Sequence, residues 1–184
     1  MTLVLASASP RRQELLRMVT RDFVVCPAEV DESPGPYQTP AEYALGAAVL
    51  KAKTVSLLRP ELVLGADTVV CLGARILGKP RNSEENRQML AALTGKWHTV
   101  LTAVALCRNG RVLGTDIVAT KVRFSPLGDR EIDDLVRSGD GLDKAGGYGI
   151  QGEAGKYIAG IDGCYYNVVG LPVAAVAALI GGHI

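Results

Sequence analysis

The sequence predicts an α/β fold built around one mixed sheet, and three observations carry that prediction. Short apolar runs alternate with capped helical segments, as expected where helices pack on a sheet. Asn109-Gly110 lies between two apolar runs and is a strong signal for an antiparallel hairpin, so the sheet is not purely parallel. Neither an internal repeat nor a low-complexity linker breaks the pattern, and residues 1–184 are read as a single domain.

In order, LVLAS is a buried strand entering a helix over residues 10–18. Ser9 can accept an orphan backbone N–H there, and the fixed φ of Pro10 suits the first helical position. FVVC starts a second strand that dissolves into a Pro/Gly/Ser loop holding Asp31 and Glu32. Thr39, Pro40 and Glu42 form a capping box that launches a helix to about Leu58, before Pro60. LVLGADTVV is the next strand, with Asp67 at or near its end. SEENRQMLAALTG is a helix with Ser83 as N-cap, Glu84 and Glu85 in its first turn and Gly95 as its stop. TVLTAVALC and RVLGTDIVATKVRF flank the Asn-Gly turn. A helix within residues 126–138, a glycine-rich loop, a hairpin-like region near YIAGIDGCYYNVV and a last helix after Pro172 complete the chain.

Composition narrows the function. Apolar residues make up 48% of the chain, yet no uninterrupted run approaches the roughly 18 needed to cross a bilayer, so no membrane partner is expected. No positively charged segment precedes an apolar stretch at the N-terminus, and the expected location is cytoplasmic. A formal net charge of +1 supplies no bulk field for nucleic acid, which leaves basic chemistry to local clusters. Cys26, Cys71, Cys107 and Cys164 are widely spaced, with only His98 and His183 as further soft ligands. They are read as mostly buried free thiols rather than zinc ligands or a disulfide framework.

One such cluster stands at the first helix. Its opening turn carries Arg11 and Arg12, although the positive end of a helix dipole normally prefers acids, as Glu84 and Glu85 illustrate later in the chain. Free backbone N–H groups beside two guanidinium forks make an anion site suited to phosphate oxygens. Asp67 sits among apolar neighbours, where an ionised carboxylate is costly unless it meets a cation or donors. It could cap a turn, hold magnesium, act as a general base, or combine the last two. Glu32 is a candidate second carboxylate, since hard divalent ions take oxygen ligands and keep several waters. Lys51, Lys53, Lys79 and Lys144 could neutralise a polyphosphate if they converge. Gly147, Gly149 and Gly152 match G-x-G-x-x-G, but no strand precedes them and no helix opens at them. They read instead as a loop permitting close backbone approach to a ligand, with Gln151 projecting from it.

LASASPRRQELL, VDES, the LKA stretch, LGADTVV with LGKP, the T-G-x-x-H-x-V-x-T segment, DKAGGYGIQG and YNVVGLP follow one another over nearly the whole chain. In this order they resemble the Maf family of nucleoside triphosphate pyrophosphatases, whose fold is similar to that of the inosine triphosphate pyrophosphatases. The resemblance implies a central mixed sheet, flanking helices and a substrate cleft. It implies hydrolysis between the α- and β-phosphates, giving monophosphate and pyrophosphate, with a divalent cation, magnesium or manganese. Asp67 would accept the proton of the attacking water and also hold metal, with Glu32 as co-ligand. Ser7, Arg12, Lys51, Lys79 and Lys144 would surround the triphosphate, with Lys79 joining Asp67 in the catalytic set.

Arg11, Thr68 and Gln151 resemble the specificity set of the branch acting on dTTP and UTP, modified pyrimidine nucleotides included. A glutamine amide offers both a donor and an acceptor to the pyrimidine edge. The chain departs from the family pattern at Leu50-Lys51-Ala52, where many relatives have Glu-Lys-Ala, so no metal role is assigned to that helix. It departs again at Gly163-Cys164-Tyr165, where Gly-Ser-Tyr is frequent. A homodimer is the family expectation. The competing reading is a nucleotide-sensing regulator of septum formation acting through a protein partner.

Overall fold

A computed structural model of the protein describes residues 2–30 and 37–183. The wholly apolar run Leu3–Leu5 forms β1, buried at every position. It pairs in parallel with β2 (Phe23–Val25) and with β3 (Leu62–Leu72). Ser9 caps α1 (Pro10–Leu16), its hydroxyl accepting the Arg12 N–H. The helix stops at Leu16 rather than reaching residue 18, because the N–H groups of Met18 and Val19 turn back to the carbonyls of Leu15 and Leu16. The expected capping box opens α2 (Pro40–Ser56): Thr39 Oγ1 accepts the Glu42 N–H, and Glu42 Oε2 accepts that of Thr39. Helix α2 ends two residues short of Leu58, where the Ser56 hydroxyl donates to the Lys53 carbonyl.

Asp67 lies in the interior of β3, not near its end. The apolar run continues through Leu72, turns at Gly73 and returns as an unforeseen β4 (Arg75–Leu77), antiparallel to β3 with Val70 opposite Leu77. Helix α3 (Ser83–Leu93) is capped by Asn82 rather than Ser83. The Asn82 Oδ1 accepts the Glu85 N–H at 2.9 Å, which shifts the start by one residue. Beyond it, β5 (Trp97–Arg108) and β6 (Arg111–Phe124) flank Asn109 and Gly110, both at positive φ, as a type I′ turn requires.

Helix α4 (Asp129–Ser138) leads to the glycine-rich loop, which contains short 3₁₀ turns at Ala145–Gly147 and Glu153–Tyr157. Next, β7 (Ile158–Asp162) pairs antiparallel with β6. The second arm of the expected hairpin near residues 157–169 is instead α5 (Tyr165–Val169). The Cys164 N–H donates to Thr120 Oγ1, and buried Asn167 donates to both Thr120 Oγ1 and the Val100 carbonyl, so side chains hold the segment as a helical turn. The last helix, α6 (Val173–Gly181), follows Pro172 as expected.

Among the described residues the strands form one mixed sheet, in the order β2-β1-β3-β5-β6-β7 with β4 on β3. The chain divides into two compact units. The first comprises Met1–Thr68, Thr102–Val118 and Gly170–Ile184; the second comprises Val69–Leu101 and Ala119–Val169. In the first, Leu5, Leu16, Leu62, Leu64, Leu106 and Leu171 are fully buried. In the second, Leu77, Leu90, Leu93, Val122, Phe124 and Tyr148 belong to one apolar cluster.

All four cysteines are free, but only Cys71 and Cys107 are buried; Cys26 and Cys164 are half-buried, short of the burial expected for most of them. Burial pushes the Cys71 thiol up to about 11 and raises that of Cys107. No described helix is long and apolar enough to cross a membrane.

Candidate functional site

In the first unit, the β1–α1 connection brings Ser7, Arg12 and Thr68 together. Arg12 Nη1 donates to the Ala66 carbonyl at 2.9 Å and to Ser7 Oγ at 3.2 Å. Its Nε donates to the Gly170 carbonyl at 2.9 Å, and Nη2 to Thr68 Oγ1 at 3.1 Å. The planar guanidinium can serve these acceptors at once because its donors are fixed in a fork. Arg12 therefore joins the end of β1, the middle of β3 and the segment before α6. Thr68 Oγ1 also lies 2.9 Å from the hydroxyl of fully buried Thr102. Arg11, the next residue back on α1, is half-buried.

Lys51 and Asp67 form the second cluster of this unit. Lys51 Nζ lies 2.7 Å from Asp67 Oδ1, and the two residues are only 7% and 8% exposed. Their closeness follows from Gly65, two residues before Asp67 on β3. A Cβ there would lie 2.3 Å from the Ala48 carbonyl oxygen and 2.9 Å from the Ala52 Cβ. Only a residue without a side chain lets α2 settle this near β3, one turn from Lys51. An ion pair so shielded from water is held firmly in place, and removing Lys51 would leave the Asp67 carboxylate buried without this cation. The carboxylate can accept a proton, and its oxygens are donors of the kind hard divalent ions take. Glu32, the expected co-ligand, lies outside the described residues. Among the described residues no group of three or more His, Cys, Asp or Glu side chains is assembled to hold a metal.

The second unit holds Lys79, Lys144 and Gln151. Lys79 is exposed beyond β4, and the preceding Gly78 carbonyl accepts the Gly146 N–H at 3.0 Å, which ties the Lys79 segment to the glycine loop. Lys144, read from the sequence as a phosphate neutraliser, is ion-paired within its own loop. Its Nζ donates to Asp143 Oδ1 at 2.7 Å, to Asp140 Oδ1 at 3.0 Å and to the Asp140 carbonyl. Gln151 is exposed at a turn of the loop. A 3₁₀ turn precedes Tyr148 and another follows Gly152, so the G-x-G-x-x-G match lacks the strand and helix of a dinucleotide site.

The T-G-x-x-H-x-V-x-T and DKAGGYGIQG segments contain Thr102, His98 and Tyr148, but the sequence assigns these residues no role in the site. His98 Nε2 lies 2.6 Å from the Tyr148 hydroxyl, burial pushes the imidazole down to about 4, and burial also raises the phenol. A signal was present. His98, Val100 and Thr102 alternate along β5 and all point inward, as strand periodicity requires of one buried face.

A family profile described as Maf-like protein matches residues 2–183. The dTTP/UTP pyrophosphatase of Anaeromyxobacter dehalogenans is 49% identical over 181 residues, covering 97% of this chain and 92% of its own. That of Symbiobacterium thermophilum is 50% identical over 175 residues, covering 93% and 88%. Among solved structures, the Staphylococcus aureus Ham1 protein aligns with 70% of this chain and 73% of its own, at 16% identity and a TM-score of 0.46. With a profile match running almost from end to end and relatives near half identical over most of both chains, the chain belongs to the Maf-like protein family.

Proposed function

We propose that the protein is a nucleoside triphosphate pyrophosphatase that hydrolyses dTTP and UTP, with related modified pyrimidine nucleotides, to the monophosphate and pyrophosphate. The observation that carries this reading is the buried Lys51–Asp67 pair in a chain about half identical to proteins named for that activity. In the proposed mechanism Asp67 takes the proton of the water that attacks the α–β phosphoanhydride, and pyrophosphate departs. Lys51 holds one oxygen of Asp67 and so fixes the direction of the other.

Ser7, Arg11 and Arg12 at the start of α1 would bind the phosphate chain, which for Arg12 requires giving up part of its bonding to Ser7, Ala66, Thr68 and Gly170. Lys79 and Lys144 would meet charge developing on the phosphates, which for Lys144 requires exchanging Asp140 and Asp143 for phosphate oxygens. Gln151 would read the pyrimidine edge, with Arg11 and Thr68 completing the specificity set. A divalent cation, magnesium or manganese, held through Asp67 with Glu32 as co-ligand, would neutralise phosphate charge and take its remaining ligands from water and substrate.

The deciding experiment incubates the purified protein with magnesium and a panel of common and modified nucleoside triphosphates, following monophosphate, pyrophosphate and orthophosphate separately. Monophosphate with pyrophosphate, over many turnovers and fastest from dTTP and UTP, is the expected result. Orthophosphate as the first product would indicate removal of the terminal phosphate instead. Binding without turnover would leave a nucleotide sensor.

A further inference from the structure

The glycine loop carries Lys144 and Gln151, and its glycines let the Lys144 and Asp140 side chains lie close against the backbone. A Cβ on Gly149 would lie 2.8 Å from Lys144 Cε, and one on Gly152 would lie 1.9 Å from Asp140 Oδ2. The Lys144–Asp140 pair therefore rests directly on the backbone on either side of Gln151. Tyr148 stands at the start of this floor. Its ring meets Phe124 edge-on at 4.9 Å and His98 at 5.4 Å, and its hydroxyl lies 2.6 Å from His98 Nε2. One residue earlier, the Gly147 carbonyl accepts from the fully buried Asn86 Nδ2 at 2.7 Å.

Phenylalanine would fill the same apolar space as Tyr148 without burying a hydroxyl. Burying an imidazole and a phenol is costly; the bond between them satisfies His98 Nε2 and the Tyr148 hydroxyl, and such a bond has a narrow geometry. With His98 neutral, one proton lies in this bond: either His98 Nε2–H donates to the Tyr148 oxygen or the phenol donates to Nε2. The bond runs from the rigid strand β5 to a loop that is otherwise largely glycine and turn.

We propose that His98 and Tyr148 are positioning residues for substrate recognition. Their hydrogen bond fixes the backbone at residues 147–149 and so sets the placement of Lys144 and Gln151. The proposal rests on the function assigned above to those two residues. It adds that the loop's recognition geometry is held from beneath by a buried, neutral pair that never touches substrate.

The test compares Tyr148→Phe, His98→Leu, their double variant and His98→Gln, which retains a hydrogen-bonding amide. Expected for Tyr148→Phe is a KM for UTP raised roughly 3- to 10-fold, the size of one lost hydrogen bond, with kcat changed much less. The UTP-over-CTP preference should narrow in parallel. His98→Leu should match it, the double variant should be no worse than either single, and His98→Gln should keep most of the wild-type behaviour. Amide hydrogen exchange over residues 144–152 should quicken in both single variants.

A lowered melting temperature with unchanged KM, substrate ratio and loop exchange would overturn the proposal and leave only a packing role. If Tyr148→Phe fails to fold, His98→Leu and His98→Gln decide the matter by the same readouts. If the wild-type protein hydrolyses no nucleotide, the assigned function fails. Loop exchange and binding of a non-hydrolysable UTP analogue then decide the positioning role: both unchanged in the variants overturns it, and faster exchange with weaker binding sustains it.

Discussion

The ammonium of Lys51 on α2 lies 2.7 Å from the carboxylate of Asp67 on β3, and the close approach at Gly65 makes that distance possible. A charged pair this well hidden costs solvation that an apolar pair would not, which accords with the chemical task proposed for Asp67. If Asp67 is the base, Asp67→Asn keeps the shape and the hydrogen bond from Lys51 but removes the proton acceptor. Pyrophosphate release should fall by roughly 10²- to 10⁴-fold while the protein still folds. Turnover near the wild-type rate would remove Asp67 from that role.

Lys51→Met separates stability from chemistry. It leaves the Asp67 carboxylate buried with its cation gone, and denaturant unfolding should show a loss of about 3–5 kcal/mol. Combining it with Asp67→Leu removes both charges and should recover much of that stability without recovering activity. Equal stability in the single and double variants would show that burial of the pair matters less than its depth suggests.

Arg12 makes a different demand. Its guanidinium reaches acceptors on Ser7, Ala66, Thr68 and Gly170, which are distributed around a plane. Lysine keeps the charge but presents one point with three donors, so Arg12→Lys should both destabilise the fold and reduce turnover. The melting temperature and kcat/KM check the two effects. A variant with full stability and only weakened nucleotide binding would show that the four contacts do not hold the segments together.

Gln151 is exposed, so its substitution should leave stability unchanged. Gln151→Glu replaces the amide donor with a second acceptor beside a pyrimidine carbonyl. Under the proposed function the preference for dTTP and UTP over other triphosphates should disappear. An unchanged substrate ranking would show that another group reads the base.

The alternation of apolar runs with capped segments and the Asn109-Gly110 turn disclosed the mixed sheet, because these signals are local. Strand β4 escaped notice because three residues make too short a pattern, and α5 because its helical turn is fixed by Thr120 and Asn167, distant in sequence. At the site, Arg12 and Asp67 stood out as charges in places where charge is costly. Their partners did not, since the carbonyls of Ala66 and Gly170 are backbone atoms that no residue type announces. The pairing of Lys144 with Asp140 and Asp143 was present in the sequence as near neighbours, but residue types alone do not say which way a flexible lysine turns.

The buried imidazole of His98 also makes stability depend on pH. Its folded pKa is lowered to about 4, whereas the unfolded chain's histidine titrates near its ordinary 6.5. Between those values the unfolded state binds more protons, so acidification through that window favours unfolding. From pH 7 to pH 5 the contribution should amount to about 2 kcal/mol lost, and it should level off below pH 4. Other carboxylates titrate as well, so the measurement is a difference: urea unfolding of the wild type and of His98→Leu at both pH values. The variant should lose less stability on acidification by about that amount. Parallel losses in the two proteins would mean that His98 takes up its proton in the folded state as readily as in the unfolded chain.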